Sequence, residues 1–331
     1  MSDALFAFID RLPKVELHLH LEGSIPVHLL KRLSGYARED LDELYHYANF
    51  YDFLMAFKKV CRLLREPADF ELVTYELLAH LARQNVCYSE VFFSPSIHRR
   101  NGLPLEPVFC AIYRAAAQAK MALGIEMAIL LDCVRQWGEL EAGYVLDLAM
   151  EHRKQGVVGI GIGGDELAAP PETFRKVYEA ARAGGLHTVA HAGEVAGPAS
   201  VWGAVHALKA ERIGHGLSVA QDDRLLAHCR EKQLPLEMSL TGNVMTGAVA
   251  SLAQHPFRRL FDAGLALTLN SDDPAMFSTT LTAEYRLLAT HFGFSADELR
   301  RVAQTAVRAA FLPDSRKTVL LERLEQIPFT D

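Results

Sequence analysis

The chain is poor in the features that mark specialised classes of protein. It has five cysteines in 331 residues (Cys61, Cys87, Cys110, Cys133 and Cys229), and none forms a Cys-x-x-Cys pair. An odd, scattered set argues against a disulfide framework and reads as reduced thiols in a cytosolic protein. Basic charge is in deficit: 34 Lys and Arg stand against 41 Asp and Glu, a net charge of −7. Such a surface lacks the cationic face that would displace counterions from a nucleic acid, so no nucleic-acid partner is expected. No run of about 18 apolar residues occurs, so no membrane span is expected. Residues 1–14 lack a basic segment followed by a useful apolar one, which argues against a secretory signal and for a cytoplasmic location. Gly (22) and Pro (14) are at ordinary levels, and no repeat or low-complexity stretch is visible.

The chain is 50% hydrophobic and 23% charged, which supports a sizeable core and excludes a disordered chain. The length suits one large barrel or two ordinary domains. Eight strand-like runs stand out: Val15–His20, Val86–Phe93, Ile125–Leu131, Val157–Ile162, His187–His191, Arg212–His215, Leu234–Ser239 and Leu265–Ser271. Amphipathic segments lie between most of them, at Asp69–Gln84, Glu106–Leu123, Leu140–Gln155, Pro171–Ala183, Ser200–Lys209, Asp222–Lys232 and Pro256–Ala263. Strand then helix, repeated with short connections, means parallel βαβ units. Eight units fit an α/β fold of the (β/α)8 TIM-barrel type better than an open sheet.

Two stretches break the rhythm of this expected single domain over 1–331. Residues 24–67 are too long for one crossover helix and read as a helical insertion over the barrel top, where loops carry function. They hold a helix-like run, Ile25–Leu33, and the aromatics Tyr45, Tyr47, Phe50, Tyr51, Phe53 and Phe57. The aromatics either cap a ligand or form the apolar face of an insertion helix. Residues 295–331 read as a helical tail, started by a Ser295-x-x-Glu298 capping box and with its first helix closed by Pro313.

His18 and His20 are two apart on the first strand run, so both imidazoles face one side, half of a metal site or two ordinary histidines near a turn. Titratable residues also sit where other runs finish: Asp165 and Glu166, His191 and Glu194, His215, and Asp272 and Asp273. In a parallel barrel all strand ends share the face that carries active sites. Imidazole with carboxylate and no thiolate suits zinc or a non-haem divalent ion. Such an ion brings the pKa of a bound water from about 15.7 to near 7. A further His and a carboxylate can then move its proton.

These residues are in the order and spacing of a known family. The chain resembles the adenosine deaminase family of the metal-dependent amidohydrolase superfamily in five motifs: Pro13–Gly23, Val157–Glu166, His191–Glu194, Arg212–Gly216 and Ser271–Pro274. The resemblance implies one zinc per chain, held by His18, His20, His191 and Asp272. It implies that His215 orients the attacking water and that a protonated Glu194 donates to the ring nitrogen beside the reacting carbon. It further implies that Asp273 meets N7, the Gly164 N–H meets N3, and Glu22 meets the sugar's 5′ end. The reaction implied is hydrolytic deamination of an adenine ring in a small purine nucleoside, with release of ammonia.

The match departs from the family pattern at two places. Glu22 stands where adenosine-specific members have Asp, and Glu237–Asn243 differs from their Cys-Pro-Thr-Ser-Asn stretch. Glu at 22 is similar to free-adenine deaminases, whereas the Gly163-Gly-Asp-Glu166 form is not. The mixed pattern is similar to the branch that deaminates 6-amino-6-deoxyfutalosine in menaquinone synthesis. That substrate ranks beside adenosine and above free adenine. Arg62, Arg65, Arg99 and Arg100 could meet a carboxylate on such a substrate or face solvent. A non-catalytic nucleoside-binding relative would be expected to lose a ligand or Glu194, and a two-metal hydrolase would need a bridging Lys that Gly161–Glu166 lacks.

Overall fold

The computed structural model describes residues 2–34 and 44–329. Its eight strands are β1 (Lys14–His20), β2 (Val86–Phe93), β3 (Glu126–Val134), β4 (Val157–Gly163), β5 (His187–Ala192), β6 (Arg212–His215), β7 (Leu236–Met238) and β8 (Leu267–Leu269). Each pairs in parallel with the next, in chain order. The expected TIM-type barrel is therefore present.

The ring closes between β8 and β1 through residues just past β8. Leu19 bridges Asp272 in parallel sense. His20 N donates to Asp272 O (2.9 Å), and Asp272 N donates to His18 O (3.1 Å). Asn270 Oδ1 accepts from the backbone N–H groups of Leu17 (2.9 Å) and His18 (3.1 Å), so a side chain completes the ladder. The last strand thus delivers Asp272 beside the two histidines of the first.

Alternation along β1 separates two environments. Val15, Leu17 and Leu19 pack in the large apolar cluster between strands and helices, each leucine contributing roughly 1.5–3 kcal/mol by burial. Lys14, Glu16, His18 and His20 take the other side, and all four are buried. Inside the barrel a small separate cluster of Phe92, Leu130 and Val189 underlies the histidines. Phe92 lies against the His18 and His20 rings, with centroids 5.0 Å apart in both cases.

The helices begin with α1 (Ser2–Arg11), α2 (Val27–Ser34), α3 (Phe50–Cys61), α4 (Pro67–Arg83), α5 (Pro95–Arg100), α6 (Leu105–Leu123) and α7 (Gly138–His152). The stretch between β1 and β2 carries α2, α3 and α4, so the expected insertion is helical where it is described; residues 35–43 lie outside the described residues. The segment expected at Pro171–Ala183 divides into a short 3-10 turn and α8 (Arg175–Ala183). That at Ser200–Lys209 divides into α9 (Pro198–Gly203) and a π-turn, Ala204–Leu208. There follow α10 (Asp223–Lys232), α11 (Leu240–Met245), α12 (Phe257–Asp262), α13 (Leu281–His291), α14 (Ala296–Ala309) and α15 (Asp314–Glu325). The Ser295–Glu298 capping box starts α14 as expected. Pro313 does not close that helix: α14 ends at Ala309 with an extended Ala310, and Pro313 instead opens α15, where its fixed φ and missing N–H cost nothing. No described helix is long and apolar enough to cross a membrane.

Candidate active site

Four side chains meet at the closing seam of the barrel. His18 Nε2 lies 3.4 Å from Asp272 Oδ1, His20 Nε2 lies 3.5 Å from the same oxygen, and His20 Nε2 faces His191 Nε2 at 3.2 Å. Zinc bonds of about 2.0–2.1 Å in tetrahedral directions place neighbouring ligand atoms about 3.3 Å apart. The observed separations match that requirement. His18 Nε2 is buried and has no hydrogen-bond partner, the condition of an atom reserved for a metal. His18, His20 and Asp272 form one cluster of candidate ligands, and His18, His191 and His215 form another.

The far side of each ring sets its tautomer. His191 Nδ1 lies 2.9 Å from the Ile162 carbonyl, so it carries the proton and leaves Nε2 a lone pair. His18 Nδ1 lies 2.8 Å from Glu237 Oε2 in the same role. Burial pushes His20 down to about 4 and His191 well below the usual imidazole value, which keeps both neutral, as metal ligands must be. His18 differs: burial opposes its charge, but the facing carboxylates of Asp272 and Glu237 outweigh that and lift it to about 10. Burial would raise Asp272, yet the facing His18 ring and the surrounding imidazoles hold it below the ordinary range. Two carboxylates pressing on one imidazole make a site that favours a positive centre, so the donor set fits a divalent cation.

His215 and Asp272 both adopt left-handed backbone, at φ 61° and 63°. Non-glycine residues pay roughly 1–3 kcal/mol for strained backbone of this kind, which surrounding structure must over-determine. Here it turns His215 toward Glu194, with Nε2 to Oε2 at 3.5 Å. Burial raises the Glu194 carboxyl well above the ordinary range; Asp272 and Glu166 add to the rise, while His18 and Asn243 oppose it. Asn243 Nδ2 donates to Glu194 Oε1 (3.3 Å) and lies 3.0 Å from His215 Nδ1.

The loop that bears Glu194 is pinned from below. Glu166 accepts from the N–H groups of Gly193, Glu194 (3.1 Å), Val195 (2.8 Å) and Ala196 (2.9 Å), and from Ser200 Oγ (2.5 Å). Asp273 is fully enclosed and its Oδ1 has no partner; burial and the adjacent Asp272 raise its carboxyl. A Cβ at position 23 would fall 1.6 Å from Asp273 Oδ1, so only glycine fits there.

The site opens into a cavity of about 510 Å3. His20, His191, Glu194, His215, Asp272 and Asp273 form its floor, and Gly164 is on its wall. Of the six aromatics in the insertion, Phe50, Tyr51, Phe53 and Phe57 line the cavity. Tyr45 and Tyr47 instead donate to the carbonyls of Ile25 and Met276, both at 2.9 Å. Arg62 and Arg100 line the outer wall together with Lys58. Arg99 is taken up by Glu141 at 2.7 Å, and Arg65 is exposed. Glu22 is fully buried outside the cavity lining: its Oε1 accepts from Ser94 N (3.0 Å) and faces His98 Nε2 (2.9 Å), while its Oε2 has no partner.

Glu237, Asn243, Glu166 and Asp132 have no role that the sequence pattern alone marks. Asp132 lies on the cavity wall, one residue past the expected end of the third strand run; the observed strand continues to Val134. Glu237 carried a signal, a carboxylate inside the β7 run, but nothing local pairs it with His18.

A parallel barrel with three imidazoles and a carboxylate at its C-terminal mouth defines a hydrolase of the amidohydrolase kind. The chain belongs to the adenosine deaminase family, whose family model, described as adenosine deaminase, matches residues 13–327. It is 36% identical to the aminodeoxyfutalosine deaminase of Streptomyces avermitilis over 331 aligned residues, which cover 97% of this chain and 92% of that one. Among solved structures it resembles an adenine deaminase from Arthrobacter aurescens at TM-score 0.92 and 30% identity, covering 95% of this chain and 98% of that one. It also resembles an amidohydrolase from Burkholderia ambifaria with bound Zn at TM-score 0.91 and 28% identity, covering 99% and 94%. The protein is a hydrolytic deaminase acting on adenine-type substrates.

Proposed function

We propose that the enzyme removes the 6-amino group from the adenine ring of a nucleoside carrying an anionic 5′ extension, with 6-amino-6-deoxyfutalosine as the leading substrate. One zinc per chain would be held by His18, His20, His191 and Asp272. When bound, such an ion supplies Lewis acidity and a water whose pKa is near 7.

The chain's own residues do the rest. Glu194, protonated through burial, donates to N1 as a water oxygen adds to C6, so charge does not build on the ring. His215, turned toward Glu194 by its left-handed backbone, orients the water and holds its proton. The C6–O bond forms, the C6–N bond breaks, and ammonia leaves with the proton. Asp273 meets N7, and the Gly164 N–H meets N3. Glu22 acts on the sugar's 5′ end from behind the wall, its Oε1 accepting from the backbone N–H of Ser94, which lines the cavity.

The observation that carries the substrate is the polarity of the cavity. Its floor is acidic, and its outer wall carries Lys58, Arg62 and Arg100. Lys58, in the last turn of α3, and Arg62, which caps that helix, are four apart, where like charges repel, and neither meets a carboxylate among the described residues. An anionic group entering with the substrate relieves that repulsion. A volume of about 510 Å3 also suits a drug-sized ligand better than a bare purine.

The likeness to an adenine deaminase structure supports free adenine as a second reading. Steady-state kcat/KM for adenine, adenosine, AMP and 6-amino-6-deoxyfutalosine separates the two. A preference of at least about tenfold for 6-amino-6-deoxyfutalosine, reduced in Lys58→Ala/Arg62→Ala, supports the proposal. Adenine as the best of the four overturns it.

A further inference from the structure

The proposed chemistry leaves two carboxyls on the cavity wall unused, Asp132 and Asp165; Asp165 Oδ1 already accepts from Leu167 N (3.0 Å), which leaves Asp132 unaccounted for. It sits near the end of β3, level with Gly161 of β4. The residue is 4% exposed, it lines the cavity, and its Oδ1 is buried without a partner. No hydrogen bond from any described residue reaches its side chain. A buried polar group left unpaired costs free energy unless something else satisfies it.

The surrounding residues make room for this side chain. A Cβ at position 163 would lie 2.5 Å from Asp132 Oδ2, and one at position 161 would lie 3.0 Å from Oδ1 and 2.6 Å from Phe92. Both neighbours on β4 are glycine, so the carboxyl can stand over that strand. No third His, Cys or carboxylate joins it in a metal-sized cluster among the described residues. A metal there would lack ligands. The remaining partner is a polar group on the substrate itself.

Its position selects which group. With the Gly164 N–H at N3, the adjoining Asp132 faces the edge of the purine that bears the sugar. We propose that Asp132 is a specificity-determining residue that binds a ribose hydroxyl, 2′ or 3′, of the substrate. This rests on reading the cavity as an adenine-nucleoside site. Burial, reinforced by Glu22, pushes the Asp132 carboxyl up to about 8, against the pull of His18 and Arg135. A carboxyl of that kind both donates and accepts, as a hydroxyl does.

The test compares adenosine, 2′-deoxyadenosine, 3′-deoxyadenosine and free adenine as substrates of the zinc-loaded wild type, Asp132→Ala and Asp132→Asn. The wild type should prefer adenosine to one deoxy form by at least about tenfold in kcat/KM, because a site built to bind a hydroxyl is left with an unpaired group when it is missing. In Asp132→Ala that preference should fall to within about threefold, with adenine turnover unchanged. Asp132→Asn keeps the shape and an acceptor, so it should fold and retain part of the preference. A preference that survives in Asp132→Ala overturns the inference, as does an equal loss on adenine and adenosine, which would mark Asp132 as structural. If the wild type turns over none of these and no 5′-extended nucleoside, the deaminase reading of the cavity fails and takes this inference with it.

Discussion

Glu237 Oε2 stands 2.8 Å from His18 Nδ1, on the side of the ring opposite Asp272. Arg212 holds the same carboxylate from behind, with Nε donating to Glu237 Oε1 at 2.5 Å, and is itself paired with Glu90 at 2.5 Å. His18, Glu237, Arg212 and Glu90 are all fully buried or nearly so. The arrangement aims His18 Nε2 at Asp272. Partners behind a ligating histidine are typically worth about 10- to 100-fold in metal affinity. Glu237→Gln should therefore weaken zinc binding by about that factor in a chelator competition, with the fold retained by circular dichroism. Unchanged affinity would mean that the carboxylate only balances Arg212.

The purified enzyme should hold about one zinc per chain by elemental analysis, since three imidazoles and one carboxylate make one mononuclear site. His191→Ala should lose both metal and activity. A metal-free His191→Ala protein of full activity would end the metal assignment.

Glu194→Gln should keep its metal but lose at least about 100-fold in kcat, because an amide cannot supply the proton. The raised carboxyl of Glu194 also gives a sign to the pH profile: activity is present below its elevated pKa and falls as pH rises through it. In Glu194→Gln that alkaline limb should vanish. If Glu194 served only to hold the loop, the variant would lower Tm and leave kcat near normal.

Glu22→Asp withdraws the carboxylate by one methylene from Ser94 N and His98. One charged hydrogen bond lost costs about 1.5–3 kcal/mol, or roughly 10- to 150-fold in kcat/KM. That loss should fall on 6-amino-6-deoxyfutalosine and spare free adenine, whereas an adenosine enzyme would keep or improve its adenosine turnover. A uniform loss on every substrate would place Glu22 in the scaffold alone.

Lys14 lies deep in the barrel near its other end, its Nζ donating to the carbonyls of Ile9 (2.6 Å), Leu12 (3.0 Å) and Gln84 (2.9 Å). Burial pushes it down to about 8, against the pull of Asp10. Below that pH both folded and unfolded chains carry the proton, and the folded chain bears the full cost of a buried charge. Between about 8 and the ordinary 10.5 the unfolded chain binds more protons, so stability rises with pH across this window. The gain is roughly 3 kcal/mol at about 1.36 kcal/mol per unit. Urea unfolding from pH 7.5 to 10.5 should show wild type gaining that much relative to Lys14→Met. Parallel curves would refute it.

Much of this molecule is written locally. Eight strand runs and most helices follow from hydrophobic alternation and from signals such as the Ser295–Glu298 box, which act within a few residues. His18 and His20 share a face because side chains alternate on a strand, and strand ends converge because parallel strands share a direction. From these alone the barrel, its active face and the candidate ligands were legible, and the family resemblance supplied their roles. The tertiary structure decided which atoms meet. His18 and Glu237 are 219 positions apart, Glu22 and His98 are 76 apart, and Asn243 reaches Glu194 across 49. No periodicity carries such pairings, because they depend on barrel closure and on backbone twists such as the left-handed His215 and Asp272. Asp132 is the sharpest case: its chain neighbours mark only a strand, and its place on the cavity wall depends on two glycines of the next strand that leave it room.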